Sequence, residues 1–167
     1  LDKYLQNPPM SKAGLIQLPE IGKGYIIVDN YVHAKTGENW GTPETVKSLL
    51  SLAEKWAEYD DSLLRFNDLS IEIGGKFGPH GTHHNGKYVD IRLIRKDGGL
   101  GDTNIYHDTY DKVKTKELVR LLIEDPNVEK ILFNDVDIIR EFVNNGNGVK
   151  IMKYPGHDDH LHVQFKR

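Results

Sequence analysis

Six of the eight histidines in this 167-residue sequence lie in two short windows. The first window holds His80, His83 and His84, and the second holds His157, His160 and His162. One such window could be a polar surface loop that responds to pH, because imidazole titrates near neutrality. Two windows, each beside an apolar run typical of a β-strand, instead favour a shared chemical role such as metal binding or proton transfer.

The alternation of apolar and polar residues predicts which side chains share a surface. Residues 88–94 alternate, so Asp90 points away from the apolar layer. Residues 161–165 alternate in the same way, which puts His160 and His162 on one polar face with side chains about 7 Å apart. If the two strands are neighbours, Asp90 and both imidazoles lie on the same sheet surface.

Two imidazoles and one carboxylate, with a fourth position left to water, form a common catalytic zinc site. The sequence contains no cysteine, so a zinc ion would have to be held by nitrogen and oxygen ligands. Zinc lowers the pKa of a bound water to about 7, and a general base must still take up the proton. His160, two residues from His162 on the same face, could be that base or a second ligand.

The spacing of these residues resembles a known signature. His83 and Asp90 are separated by six residues, and His160 and His162 by one. This is similar to the H-x6-D and H-x-H signature of the LAS zinc peptidases, which include lysostaphin-type enzymes, D-Ala-D-Ala metallopeptidases and the Hedgehog N-terminal domain. The resemblance implies an α+β fold of the LAS metallopeptidase type.

Within that group, the sequence most resembles the penicillin-insensitive murein endopeptidases. The resemblance comes from Gly74 and Gly75, from the spacing of His80 and His83, and from the glycine and histidine pattern of residues 156–162. It covers roughly residues 40–167. The N-terminal arm is unmatched by this resemblance.

The resemblance implies a role for most of the clustered histidines. It implies three zinc ligands, namely His83, Asp90 and His162. It implies that His160 is the active-site base, and that His80 and His157 are further active-site histidines that orient water or substrate. His84 has no counterpart in the family pattern.

The resemblance also implies a substrate and a location. It points to a zinc peptidase that hydrolyses peptide cross-links in peptidoglycan, at a D-Ala-type bond, in the periplasm or after secretion.

A D-Ala-D-Ala carboxypeptidase or dipeptidase is an alternative that needs a closed pocket with a cation for the free carboxylate. A Hedgehog-like zinc-containing binding module is a second alternative. The glycine-rich loops 76–82 and 96–103 favour an open groove and hence the endopeptidase.

Three further residues are candidates for substrate binding. Arg92 shares the polar face of Asp90 and could bind a substrate carboxylate or pair with a neighbouring acid. Tyr106 could line a groove or simply pack, and Lys76 opens one of the two glycine-rich loops. The glycine run 98–101 lacks the sequence context of a phosphate-binding loop, so we predict a flexible loop at the rim of the cleft.

The composition restricts the class of protein. The formal net charge is −3 and the isoelectric point is about 6.2, unlike the basic surfaces that bind nucleic acids. The mean hydropathy is −0.55, and no apolar run approaches the length of about 20 residues that spans a membrane. The chain begins with Leu1 and shows no signal-peptide pattern, which suggests a processed or trimmed N-terminus.

The elements that must position these residues follow from capping signals and periodicity. We predict helices that begin at residue 42, near 111–115 and at 135, and end near 57, before 125 and at 143. We predict strands at 25–29, 69–73, 88–94, 130–133, 149–154 and 161–165. This pattern indicates an α+β fold in which helices flank a mainly antiparallel central sheet. We expect residues 1–39 to form an arm and first strand packed on a domain of residues 40–167, which the resemblance implies is a zinc peptidase domain.

Overall fold

The computed structural model describes residues 7–28, 38–72, 74 and 85–167. These residues form three helices: α1 (Pro43–Tyr59), α2 (Lys112–Glu124) and α3 (Val136–Phe142). They also form nine strands: β1 (Ile16–Gln17), β2 (Ile21–Gly22), β3 (Tyr25–Ile27), β4 (Trp40–Gly41), β5 (Leu64–Asn67), β6 (Tyr88–Arg92), β7 (Val128–Leu132), β8 (Lys150–Met152) and β9 (His160–Phe165). The predicted α+β class is confirmed.

The described strands form two sheets. Seven of them make the main sheet in the order β2-β3-β5-β6-β9-β7-β8, and β1 pairs with β4 in a small second sheet. Neighbours in the main sheet are antiparallel except for β3 with β5 and β7 with β8, which are parallel. The sheet is therefore mixed and mostly antiparallel, with β6 and β9 near its centre.

All three predicted helices are present, because their capping signals are local. Thr42 caps α1 by accepting a hydrogen bond from the backbone N–H of Thr45 at 3.1 Å, and Pro43 occupies the first turn. Asp111 caps α2 in the same way, through the N–H of Lys114 at 3.0 Å. Asp135 caps α3. The helix bounds agree with the predicted ones to within two residues.

The strand predicted at residues 69–73 is wrong for its described part. The strand of this region is β5, and it ends before Asp68, which has a left-handed backbone with φ of 55°. Leu69 and Ser70 instead hydrogen-bond to the backbone of residues 38–40. The sequence did not predict a strand at Leu64–Asn67 because Arg65 interrupts the apolar pattern there, although the Arg65 side chain is buried.

One hydrophobic core joins the helices to the main sheet. Leu49 and Trp56 from α1 and Ile91 and Val163 from β6 and β9 are fully buried in it. Since successive side chains of a strand point to opposite faces, Asp90 lies on the face of β6 away from Ile91. The core thus holds the two central strands from one side and leaves their polar residues on the other.

A buried tyrosine connects α2 and α3 to this core and gives a first testable prediction. Tyr110 donates its hydroxyl to the Asp135 Oδ2 atom at 2.6 Å, and both residues are buried. Tyr110→Phe is expected to lower the free energy of unfolding by about 1.5–3 kcal/mol, because a buried hydrogen bond to a carboxylate is lost. Urea denaturation measures this. Tyr106→Phe, at a side chain that is 81% exposed, is the matched control, and an equal loss in both variants would contradict the assignment.

Candidate active site

The antiparallel pairing of β6 with β9 brings the predicted site residues together. Asp90 lies directly opposite His162, and Arg92 lies opposite His160. The Asp90 Oδ1 atom is 3.4 Å from His162 Nδ1 and 3.8 Å from His160 Nε2. A carboxylate and two imidazoles that are 72 or 70 residues apart in sequence therefore meet on one face of the sheet.

The three side chains differ in their access to solvent. The side chains of Asp90 and His162 are 11% and 9% exposed, and that of His160 is 25% exposed. The Tyr88 ring covers His162, with ring centroids 5.5 Å apart. Asp90 and His162 thus form the floor of the site, and His160 lies closer to the surface, where it can reach a bound molecule.

Asp159 orients the His160 ring. Its Oδ1 atom is 2.6 Å from His160 Nδ1, and because a carboxylate only accepts, Nδ1 carries the proton of this hydrogen bond. The Nε2 atom then faces Asp90. Burial lowers the pKa of His160, but the hydrogen bond to Asp159 and the charges of Asp90 and Asp159 outweigh it, so the pKa is raised above its ordinary value.

His157 stands beside these two histidines. Its ring centroid is 4.7 Å from that of His160 and 5.8 Å from that of His162. Its Nδ1 atom is 3.2 Å and 3.1 Å from the carbonyl oxygens of Tyr154 and Pro155, so Nδ1 is the donor. Burial, together with the charges of His160 and His162, lowers the pKa of His157.

A residue that sequence reasoning did not single out as functional holds the His157 segment in place. Asn134 donates its backbone N–H to the His157 carbonyl at 3.0 Å and its Nδ2 to Asp158 Oδ1 at 2.8 Å. It also accepts the backbone N–H of Tyr154 at 2.9 Å. On the other side, Ile105 donates its N–H to the Asp158 carbonyl at 3.0 Å. The segment is therefore held from both sides.

A second residue that the sequence did not indicate lies behind Asp90. Asp68 is buried directly after β5, and burial, hydrogen bonding to Glu38 and the charge and hydrogen bond of Asp90 raise its pKa above its ordinary value. Nothing in the sequence around Asp68 distinguishes it from an acid in a surface turn. It became a neighbour of Asp90 only because β5 pairs with β6 in the register of Asn67 opposite Asp90.

The distances from Asp90 distinguish His162 from His160 as a partner in metal binding. Two atoms bound tetrahedrally to one zinc ion at about 2.0–2.1 Å lie about 3.4 Å apart. The pair formed by Asp90 and His162 has this separation, whereas the pair formed by Asp90 and His160 is longer at 3.8 Å. Within the described ranges, no group of three His, Asp or Glu side chains is arranged to hold a metal ion.

The remaining candidates fall into two groups. His80, His83, His84 and Lys76 lie outside the described residues. Arg92 does not pair with an acid in the described part of the chain, but donates to the Leu100 carbonyl at 3.1 Å. Tyr106 is highly exposed and lies on the loop that binds the Asp158 carbonyl through Ile105.

The sequence matches a family of known proteins. A family model described as penicillin-insensitive murein endopeptidase matches residues 11–167. The match includes every histidine of the two windows and Asp90. No curated protein matches the sequence.

Proposed function

Because the chain belongs to the penicillin-insensitive murein endopeptidase family, which is part of the LAS-like zinc peptidase group, we propose that it is a zinc-dependent hydrolase of D-Ala-type peptide cross-links in peptidoglycan. The family name itself indicates a murein endopeptidase that acts on peptidoglycan. The observation that carries the zinc part of the proposal is the pair formed by Asp90 and His162, 3.4 Å apart, with His160 beside it.

The donor set fits zinc. Carboxylate oxygen and imidazole nitrogen are ordinary zinc ligands, and the separation of Asp90 from His162 is that of two ligands of one ion. His83 is the proposed third protein ligand. When bound, zinc supplies Lewis-acid polarisation of a substrate carbonyl and lowers the pKa of a bound water.

The chain's own residues supply the proton transfers. We assign to His160 the role of general base, since its Nε2 atom faces the floor of the site while Asp159 holds Nδ1–H. His160 Nε2 accepts the proton of the attacking water and returns it to the leaving amine. His157, next to His160, and His80 are proposed to orient water or substrate.

The fold and the location belong to the same proposal. We propose that β6 and β9 are the central strands of a LAS metallopeptidase fold, and that residues 40–167 form its peptidase domain with residues 1–39 packed on it. The strands β2 and β3 of that arm belong to the main sheet. We also propose a periplasmic or secreted location, in keeping with a peptidoglycan substrate. In the part of the chain that the structure describes, no helix has the length and apolarity to cross a membrane.

Purified cross-linked muropeptide dimers test the proposed function. Incubation with the zinc-loaded protein is expected to convert dimers to monomers, and penicillin is expected to leave the rate unchanged because the proposed mechanism forms no acyl-serine that the drug could block. Chromatography with mass analysis measures the products. Intact dimers together with loss of a terminal D-Ala from monomeric pentapeptides would instead indicate the carboxypeptidase. If zinc binds and neither substrate changes, the protein is a binding module.

A further inference from the structure

An unusual set of hydrogen bonds holds the segment 96–102, which we call the glycine loop. The four successive carbonyl oxygens of residues 99–102 all accept hydrogen bonds from arginine. Arg65 donates to the carbonyl of Gly99 at 3.0 Å and also to that of Gly101. Arg92 donates to the carbonyl of Leu100 at 3.1 Å. Arg95 donates to the carbonyl of Asp102 at 3.0 Å. The sequence led us to expect a flexible loop here, whereas the structure ties each of these peptide units to a guanidinium.

Arg65 is the central member of this set. It lies in the middle of β5, is 2% exposed, and also donates to the Leu93 carbonyl. Burial and the neighbouring charges of Arg92 and Arg95 lower its pKa to about 10. A buried charge costs free energy unless hydrogen bonds compensate for it, and the hydrogen bonds of Arg65 go to backbone carbonyls, two of them in the glycine loop. The loop carbonyls therefore compensate for the buried charge of Arg65, and Arg65 in turn binds two of the four carbonyls.

The loop also has its own internal support. Arg95 binds Asp97 through two hydrogen bonds, of 2.8 Å and 2.6 Å. The backbone N–H of Gly99 also donates to Asp97 Oδ1, at 2.8 Å. Gly98 has φ of +68°, a conformation that other residues rarely adopt. These contacts favour one loop conformation over many.

The glycine loop borders the candidate active site. A cavity of about 290 Å³ is lined by Arg95, Asp102 and Thr103 on the loop side and by Asp159 on the histidine side. Asp159 is the residue that hydrogen-bonds to His160. Arg92, which binds the second of the four carbonyls, lies opposite His160 in the β6–β9 register. The loop is thus connected to the surroundings of His160 through Arg92 and through the cavity that Asp159 lines.

We propose that Arg65 is a positioning residue for substrate binding, which holds the glycine loop as a preformed wall of the substrate groove. This inference rests on the proposed function for its substrate. The apparent affinity for a ligand that needs one loop conformation is proportional to the fraction of molecules that have that conformation, so it falls as that fraction falls. If that fraction falls to about one tenth, the KM for a substrate that contacts the wall rises about tenfold while the chemical step is unchanged.

The loop itself is tested by ¹⁵N relaxation on the zinc-loaded full chain. In the unaltered protein, the backbone order parameters of Gly98, Gly99 and Gly101 are expected near about 0.85, and in Arg65→Lys below about 0.6. Lysine keeps the charge but cannot reach several carbonyls with a planar fork. Arg120→Lys is the matched control, since Arg120 binds Glu117 and Glu124 on the surface of α2. Order parameters below about 0.6 in the unaltered protein would overturn the proposal.

Kinetics on cross-linked dimers test the effect on substrate. Arg65→Lys is expected to raise KM about tenfold, with kcat and zinc content within about twofold of the unaltered protein. Asp97→Asn, at an exposed carboxylate, is expected to act in the same direction and decides the question if Arg65→Lys does not fold. An unchanged KM in a variant whose loop has become mobile, or a loss confined to kcat, overturns the proposal. If the unaltered protein leaves dimers intact, the proposed function fails, while relaxation still decides whether Arg65 fixes the loop.

Discussion

Replacing His160 with alanine is expected to leave the zinc content of the protein unchanged and to reduce turnover of cross-linked dimers by about 10²- to 10⁴-fold. This is the usual contribution of a general acid or base. The structure supports this expectation, because His160 Nε2 is 3.8 Å from Asp90 Oδ1, longer than the 3.4 Å of the proposed ligand pair, and because His160 Nδ1 is hydrogen-bonded to Asp159. Elemental analysis and steady-state kinetics on the same preparation provide the two readouts.

His162→Ala is the matched variant, because His162 is two residues away on the same face of β9. It is expected to lose both zinc and turnover, since the 3.4 Å between His162 Nδ1 and Asp90 Oδ1 is the separation expected for two ligands of one zinc ion. Equal loss of zinc in the two variants would mean that His160 is a ligand and that the base must be sought elsewhere, with His157 as the nearest imidazole.

Asp90→Asn is expected to abolish activity and to weaken zinc binding by more than the factor of about 10–100 that is typical for residues outside the ligand shell. An amide oxygen is a poorer zinc ligand than a carboxylate oxygen. The substitution also removes a negative charge from the floor of the site. Competition with a chromogenic chelator measures the zinc affinity. Removal of zinc from the unaltered protein by a chelator is expected to abolish activity, and added zinc to restore it.

Asp159→Asn is the matched control for Asp90→Asn, because both acids contact His160 but only Asp90 faces His162. Its zinc affinity is expected to stay within about tenfold of that of the unaltered protein, because an asparagine oxygen can still accept the hydrogen bond from His160 Nδ1. If Asp90→Asn and Asp159→Asn weaken zinc binding equally, Asp90 is not a ligand and the proposed metal site is wrong.

Local signals in the sequence predicted the parts of the fold that depend on near neighbours. Thr42 and Pro43 mark the start of α1 because a cap and a first turn involve only adjacent residues. The alternation around Asp90 and His162 predicted their common face because side chains of a strand alternate with period two. The sequence could also relate the chain to its family, since the spacing of the histidine motifs is itself a feature of the sequence.

Contacts between distant segments could not be read from the chain. Asp68 and Arg65 look like ordinary surface charges in the sequence, and both are buried because β5 pairs with β6 and the loop after β6 folds back over Arg65.

By itself, the sequence determined the class of the fold, its helices, its family and the face on which Asp90, His160 and His162 would lie. Only the tertiary structure decided that Asp90 stands opposite His162 at 3.4 Å and that Arg65 holds the glycine loop beside them. The reason is physical. Periodicity and capping act over a few residues, whereas strand register and the compensation of a buried charge depend on which remote segments share one core.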